Sequence, residues 1–148
     1  MPFQHFAKNT RAVVAAAVRE EATADGRGLV GAEHLLLALA GNPQLKHLGL
    51  DHDQLAVALM HEEEQSLAGV GVVADELPRA SSPRGGSPRL ATSAKQAIER
   101  AAKITTQRGQ RQMTAQTLLL GVIGAEHGRV RRTLQLAEID ISELRARL

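Results

Sequence analysis

Few residues in this sequence are placed to do chemistry, and their spacing narrows what that chemistry could be. Glu33 and His34 stand side by side at the head of the apolar run 32–40, Ala-Glu-His-Leu-Leu-Leu-Ala-Leu-Ala. A carboxylate there fits the first turn of a helix, where the dipole favours it, with His34 hydrogen-bonded to a neighbouring loop. It fits equally well as a ligand for a cationic group, most naturally a guanidinium held as a fork. His61-Glu62-Glu63-Glu64 lacks the second histidine of a helical zinc-hydrolase motif, and His5, His34, His47, His52, His61 and His127 nowhere pair at i, i+4. No glycine-rich loop ends in Lys-Ser or Lys-Thr, and no Gly-x-Ser-x-Gly elbow occurs. The expectation is therefore a protein that is not an enzyme and has no cofactor and no metal site.

The stretch carrying Glu33 occurs twice. Residues 115–124, Ala-Gln-Thr-Leu-Leu-Leu-Gly-Val-Ile-Gly, repeat residues 32–41 at an offset of 83, with Gln116 where the first copy has Glu33. Each copy reads as a short, nearly all-buried helix closed by glycine. Ahead of the first, Val13, Val14, Ala17 and Val18 recur at helical spacing over Lys8–Ala24, with Arg11, Arg19, Glu20 and Glu21 on the other face. Ahead of the second, Ala94, Ala97, Ile98, Ala101 and Ala102 do the same, and Ser93 with Gln96 suggests a capping box.

After each core helix the pattern predicts a short helix, around 44–48 and again over 128–136. A last helix follows, capped by Asp51 with Gln54 in one copy and by Asp140 with Glu143 in the other. Glu62-Glu63-Glu64 would close the first of these last helices as a frayed, solvated tail, since acid at a helix C-terminus opposes the dipole. The expected organisation is a first repeat over 1–67, a flexible basic linker over 68–89 rich in Pro, Gly, Ser and Arg, and a second repeat over 90–148. Together they make one all-α, pseudo-two-fold bundle of two four-helix repeats.

Composition bounds the partners. The only aromatics are Phe3 and Phe6, so the core must be aliphatic, and single-strand nucleic-acid binding by base stacking has no platform. Residues 1–77 carry 5 Lys/Arg against 11 Asp/Glu, and residues 78–148 carry 13 against 5. Those halves should attract each other or recruit oppositely charged partners. Arg129, Arg131 and Arg132 lie in the basic half. A helix-turn-helix DNA reader would need such charges on its recognition helix, and that place is taken by the uncharged 115–123. With no cysteine, no apolar stretch of signal-peptide length and no membrane-spanning run, a soluble, cytoplasmic, monomeric protein is expected.

Phe3-x-x-Phe6, the amphipathic helix, Gly31-Ala32-Glu33-His34-Leu35-Leu36-Leu37-Ala38-Leu39, Leu48-Gly49-Leu50, the linker and the degenerate second pass together resemble the repeated N-terminal domain of Clp ATPases of the ClpA, ClpB and ClpC type. The resemblance covers nearly the whole chain. It implies a module that docks substrates and adaptors, with partners among Clp ATPase and protease components, client proteins and peptides. Because the sequence through Leu148 holds no ATPase motif, it implies a stand-alone accessory protein that delivers clients, competes with the ATPase's own domain, or acts as a decoy for ligands aimed at it.

Carried over residue by residue, the resemblance implies a ligand- or peptide-binding set of Phe3, Phe6, Ala7 and Glu33 in the first copy and Leu90, Ala91 and Gln116 in the second. The family's Phe-Thr reads Phe6-Ala7 and Leu90-Ala91 here, and its Thr-Glu-His reads Ala32-Glu33-His34 and then Ala115-Gln116-Thr117. The first pocket thus keeps a carboxylate suited to an arginine-bearing ligand and lacks hydroxyls suited to phosphate. In the second copy the carboxylate is gone as well, which argues against phosphoarginine there.

Overall fold

A computed structural model describes residues 8–24, 26, 28–69 and 89–148. The chain runs α1 (Lys8–Ala24), β1 (Leu29–Val30), α2 (Ala32–Ala40), a 3₁₀ helix (Pro43–Leu48), α3 (His52–Gly69), β2 (Arg89–Leu90), α4 (Thr92–Gln107), α5 (Ala115–Ile123), α6 (Arg129–Leu136) and α7 (Ile141–Ala146). It is an all-α fold. The strands add only a two-residue parallel bridge, Leu29 opposite Arg89 and Val30 opposite Leu90, which ties the start of one copy's core helix to the start of the other's first helix.

The two leucine-rich helices form the centre because they have almost no polar face to expose. In α2 every residue but Glu33 and Ala40 is buried, and in α5 every residue but Gln116. At roughly 1.5–3 kcal/mol for each fully buried leucine, these seven leucines make a large favourable contribution to folding. α1 lies along α2 and α4 along α5, while α2 and α5 touch each other across the middle. α3 touches α2 of its own copy and packs more extensively on α6 of the other.

Side-chain caps decide where the helices begin, and several differ from the sequence expectation. Asp51 caps α3, its Oδ1 accepting from the amides of Asp53 and Gln54. The Gln54 side chain does not fold back to complete a capping box; its Nε2 donates to the carbonyl of Ala137 in the other copy, 3.0 Å away. Likewise α4 starts after Ala91, without a side-chain cap. Ser93 Oγ instead accepts from the amide of Ala32, 3.1 Å away at the head of α2. Thr10 makes the reciprocal crossing, donating from Oγ1 to the carbonyl of Met113 just before α5. Both corrections have one cause: these polar side chains lie where the copies meet, and long-range partners outcompete local ones.

Glu21 and Glu62 are also corrected. Glu21 is buried at the end of α1, where it accepts from the amide of Gly28 and so closes the Gly26 turn. Glu62 lies inside the body of α3, which continues to Gly69, and is buried. Thr114 and Asp140 cap α5 and α7 as their sequence positions predict.

Candidate functional site

The head of α2 is built from three consecutive residues with separate tasks. Gly31 is the N-cap, and its amide donates to Nδ1 of His34, 2.9 Å away. That bond fixes the tautomer, because an Nδ1 that accepts from an amide carries no proton. The 3.6 Å approach of Nδ1 to Glu33 Oε1 is accordingly no ion pair. The second copy does the same with a different side chain: Thr117 Oγ1 accepts from the amide of its N-cap Thr114 at 2.8 Å. His34 and Thr117 are thus equivalent capping residues, and both are buried. Nδ1 of His34 thus serves this local cap on the turn that enters α2.

Glu33 is left with another task. Its carboxylate bends back over Gly31, so that a Cβ at that glycine would fall within 2.7 Å of both its oxygens. Only 13% of the side chain is exposed. Among the described residues no hydrogen bond reaches it, and its one cationic neighbour is Arg129 of α6, with Nη1 3.8 Å from Oε1. A mostly buried carboxylate at a helix N-terminus with lone pairs still open has the chemistry to accept a planar donor such as a guanidinium.

Behind it lies a second carboxylate. Glu62 of α3 accepts from Arg132 Nε at 2.9 Å and from Ser66 Oγ at 2.9 Å, both on Oε1. Its Oε2 has no hydrogen bond, though Arg129 Nε stands 3.3 Å away. Two carboxylates from the first copy and two guanidiniums from the second therefore form one neutral cluster across the inter-repeat seam. From the sequence, Glu62 is expected to be solvated, and Arg129 and Arg132 fall on a short connecting helix with no partner assigned; the structure corrects both. That the first carboxylate of the acidic run Glu62-Glu63-Glu64 is buried could have been found only from the α3–α6 pairing, which no local pattern encodes.

The remaining predicted site residues are dispersed. Leu90 lies in β2, half-buried against the core, and Ala91 is the N-cap of α4. Gln116 is half-buried at the head of α5, the position equivalent to Glu33. Phe3, Phe6 and Ala7 lie outside the described residues, as does most of the 68–89 linker. A broad basic depression of about 700 Å³ opens beside the cluster, lined among others by His127, Arg131, Arg132 and Arg145. It adjoins a second, of about 510 Å³, where Arg100, Lys103 and Arg108 meet Arg145.

The sequence profile of the Clp repeat (R) N-terminal domain matches residues 5–137. The chain belongs to the Clp-N family. Clp-N domains are non-catalytic interaction modules, the part of Clp ATPases that binds substrates and adaptors. The fold of this Clp-N chain is similar to the solved N-terminal domain of the chaperone ClpD from Arabidopsis thaliana, with a TM-score of 0.72 at 19% identity, covering 97% of this chain and 94% of that one. It is also similar to the Hsp104 N-terminal domain from Candida albicans, with a TM-score of 0.62 at 15% identity over 95% and 87% of the two chains. No curated protein sequence matches it. No helix among the described residues is long and apolar enough to cross a membrane.

Proposed function

We infer that this Clp-N protein is a non-catalytic binding protein of the cytoplasm, acting as a monomer, that takes arginine-bearing segments of clients or adaptors at Glu33 and so modulates a Clp unfoldase-protease. In this reading 1–67 and 90–148 are two repeats joined by a basic linker over 68–89, and the protein delivers clients or competes with the ATPase's own domain. The observation that carries it is the Glu33 carboxylate: largely buried, fixed at the head of a rigid core helix, and without a hydrogen bond among the described residues. Phe3, Phe6, Ala7, Leu90 and Ala91 would supply the apolar edges of the two pockets. Gln116, neutral and half-buried, would leave the second without a guanidinium receptor.

Titration into a Clp degradation assay tests the role. Stimulation identifies an adaptor, and inhibition a competitor or a decoy. An unchanged rate at saturating protein, with no client or Clp subunit retained, rejects the modulator reading. Glu33→Gln should weaken an arginine-bearing peptide by about 1–3 kcal/mol with little change in melting temperature; lost stability with unchanged binding would make Glu33 a capping residue only.

The basic depressions support a second reading, an anionic partner such as duplex DNA. A salt-dependent shift of duplex DNA at micromolar protein would favour it, and a flat response would remove it.

A further inference from the structure

The two copies differ at the head of the core helix and, in a matching way, in the element that faces it. α2, with Glu33, touches α6, whereas α5, with Gln116, touches the 3₁₀ helix. Between the closing glycine of the core helix and the left-handed residue that ends the next helix, Gly49 or Glu138, the first copy has only Asn42–Leu48, and the second has the longer Ala125–Ala137. The added length includes the first turn of α6 and Arg129. The copy that keeps a carboxylate thus faces an arginine, and the copy that has an amide faces Pro-Gln-Leu-Lys-His-Leu, which has none.

Arg129 is shared rather than locked. Its Nη1 is 3.8 Å from Glu33 and its Nε 3.3 Å from Glu62. Neither contact is a hydrogen bond, and 36% of the side chain is exposed. Glu62 already has Arg132 and Ser66, whereas Glu33 has only Arg129 as a cationic neighbour among the described residues.

We propose that Arg129 is an internal stand-in for the ligand: in the free protein its guanidinium bridges the two carboxylates, Nε toward Glu62 and Nη1 toward Glu33, and it gives up the Glu33 side when an arginine-bearing segment binds, so Arg129 sets the affinity threshold of the site. This rests on the reading of Glu33 as a guanidinium receptor. A loose, part-exposed ion pair is a weak competitor. The threshold is accordingly small, and it discriminates against single, poorly oriented arginines while admitting those that fork onto both oxygens.

Calorimetric titration with a capped Gly-Gly-Arg-Gly-Gly peptide, and with its citrulline analogue as the uncharged control, tests the proposal in wild type, Arg129→Gln, Arg129→Lys and Glu33→Gln. Arg129→Gln should bind the arginine peptide about two- to fivefold tighter. Arg129→Lys should gain part of the same, because an ammonium cannot fork onto the oxygens of a carboxylate as a guanidinium does. The citrulline peptide should gain nothing, and Glu33→Gln should remove the advantage in either background.

Unchanged or weaker binding in Arg129→Gln, with Glu33 still required in wild type, overturns the role of Arg129 and leaves the receptor reading standing. A tighter Arg129→Gln beside a wild-type-like Arg129→Lys shows charge repulsion without occupancy, and also overturns it. If no variant distinguishes arginine from citrulline, the receptor reading itself fails. Should Arg129→Gln fold poorly, Glu62→Gln with Arg129→Gln keeps the cluster neutral and carries the same expectations.

Discussion

Glu62 offers a sharp test of how the two repeats are held together. Burying a carboxylate costs several kcal/mol, which here must be offset by Arg132, Ser66 and Arg129. The partners are unequal in burial: Glu62 is 2% exposed, against 54% for Arg132 and 36% for Arg129. Removing the acid lets both arginines rehydrate, whereas removing the arginines strands a charge in the seam. Glu62→Gln should therefore cost about 1–2 kcal/mol, close to one charge-assisted hydrogen bond. Arg129→Met with Arg132→Met, which keeps apolar stems and no donors, should cost about 3–4 kcal/mol.

The consequence is a reversal of sign. Glu62→Gln destabilises the wild type but should stabilise the double-methionine protein by about 1–2 kcal/mol, since it then relieves an uncompensated charge. Urea unfolding followed by circular dichroism, with unchanged m-values, reads this directly, and about 3–4 °C of melting temperature accompanies each kcal/mol at this length. If Glu62→Gln costs the same in both backgrounds, the effects are additive, the arginines do not compensate Glu62, and the account of the seam is wrong.

Three further outcomes follow from the packing and the backbone. Gly121→Ala should destabilise by about 2–3 kcal/mol in thermal unfolding, because its Cβ would stand 2.2 Å from the Ala97 carbonyl oxygen, a backbone atom that cannot turn aside. Glu138, at φ +60° where the first copy has Gly49 at φ +72°, holds a left-handed conformation at a cost, so Glu138→Gly should gain up to about 1 kcal/mol in urea. For His52, burial works against protonation, but hydrogen bonds to Asp53 and Glu20 and the charges of both outweigh it and raise its pKa. That contribution is fully present below the unfolded value near 6.5 and is lost as pH rises through the raised folded value. Stability should fall by a few tenths of a kcal/mol across that window, screened by solvent, and His52→Gln should flatten the fall.

The doubled leucine run was legible because it is local and uniform. Nine residues whose only polar positions are the adjacent pair at the head read as a buried element, and repeating them at a fixed offset implies a repeated fold. Asp51, Thr114 and Asp140 were legible for the same reason, since a cap acts within three residues of itself. The bounds of α1 and α2 followed from periodicity and glycine alone. The Clp-N family was likewise readable from residues that lie close together in the chain.

Only the tertiary structure decided which polar groups are structural and which are available. Ser93 and Gln54 looked like local caps and proved to be bonds between the copies, because a partner brought within 3.1 Å by folding wins over one that the backbone must bend to reach. His34 looked like half of a functional pair, yet Thr117 performs its task in the other copy, which leaves Glu33 alone as the distinctive group. What faces Glu33 could not be read from the sequence at all. Arg129 lies 96 residues away, and it meets Glu33 and Glu62 only because α2 and α3 of one repeat both pack against α6 of the other.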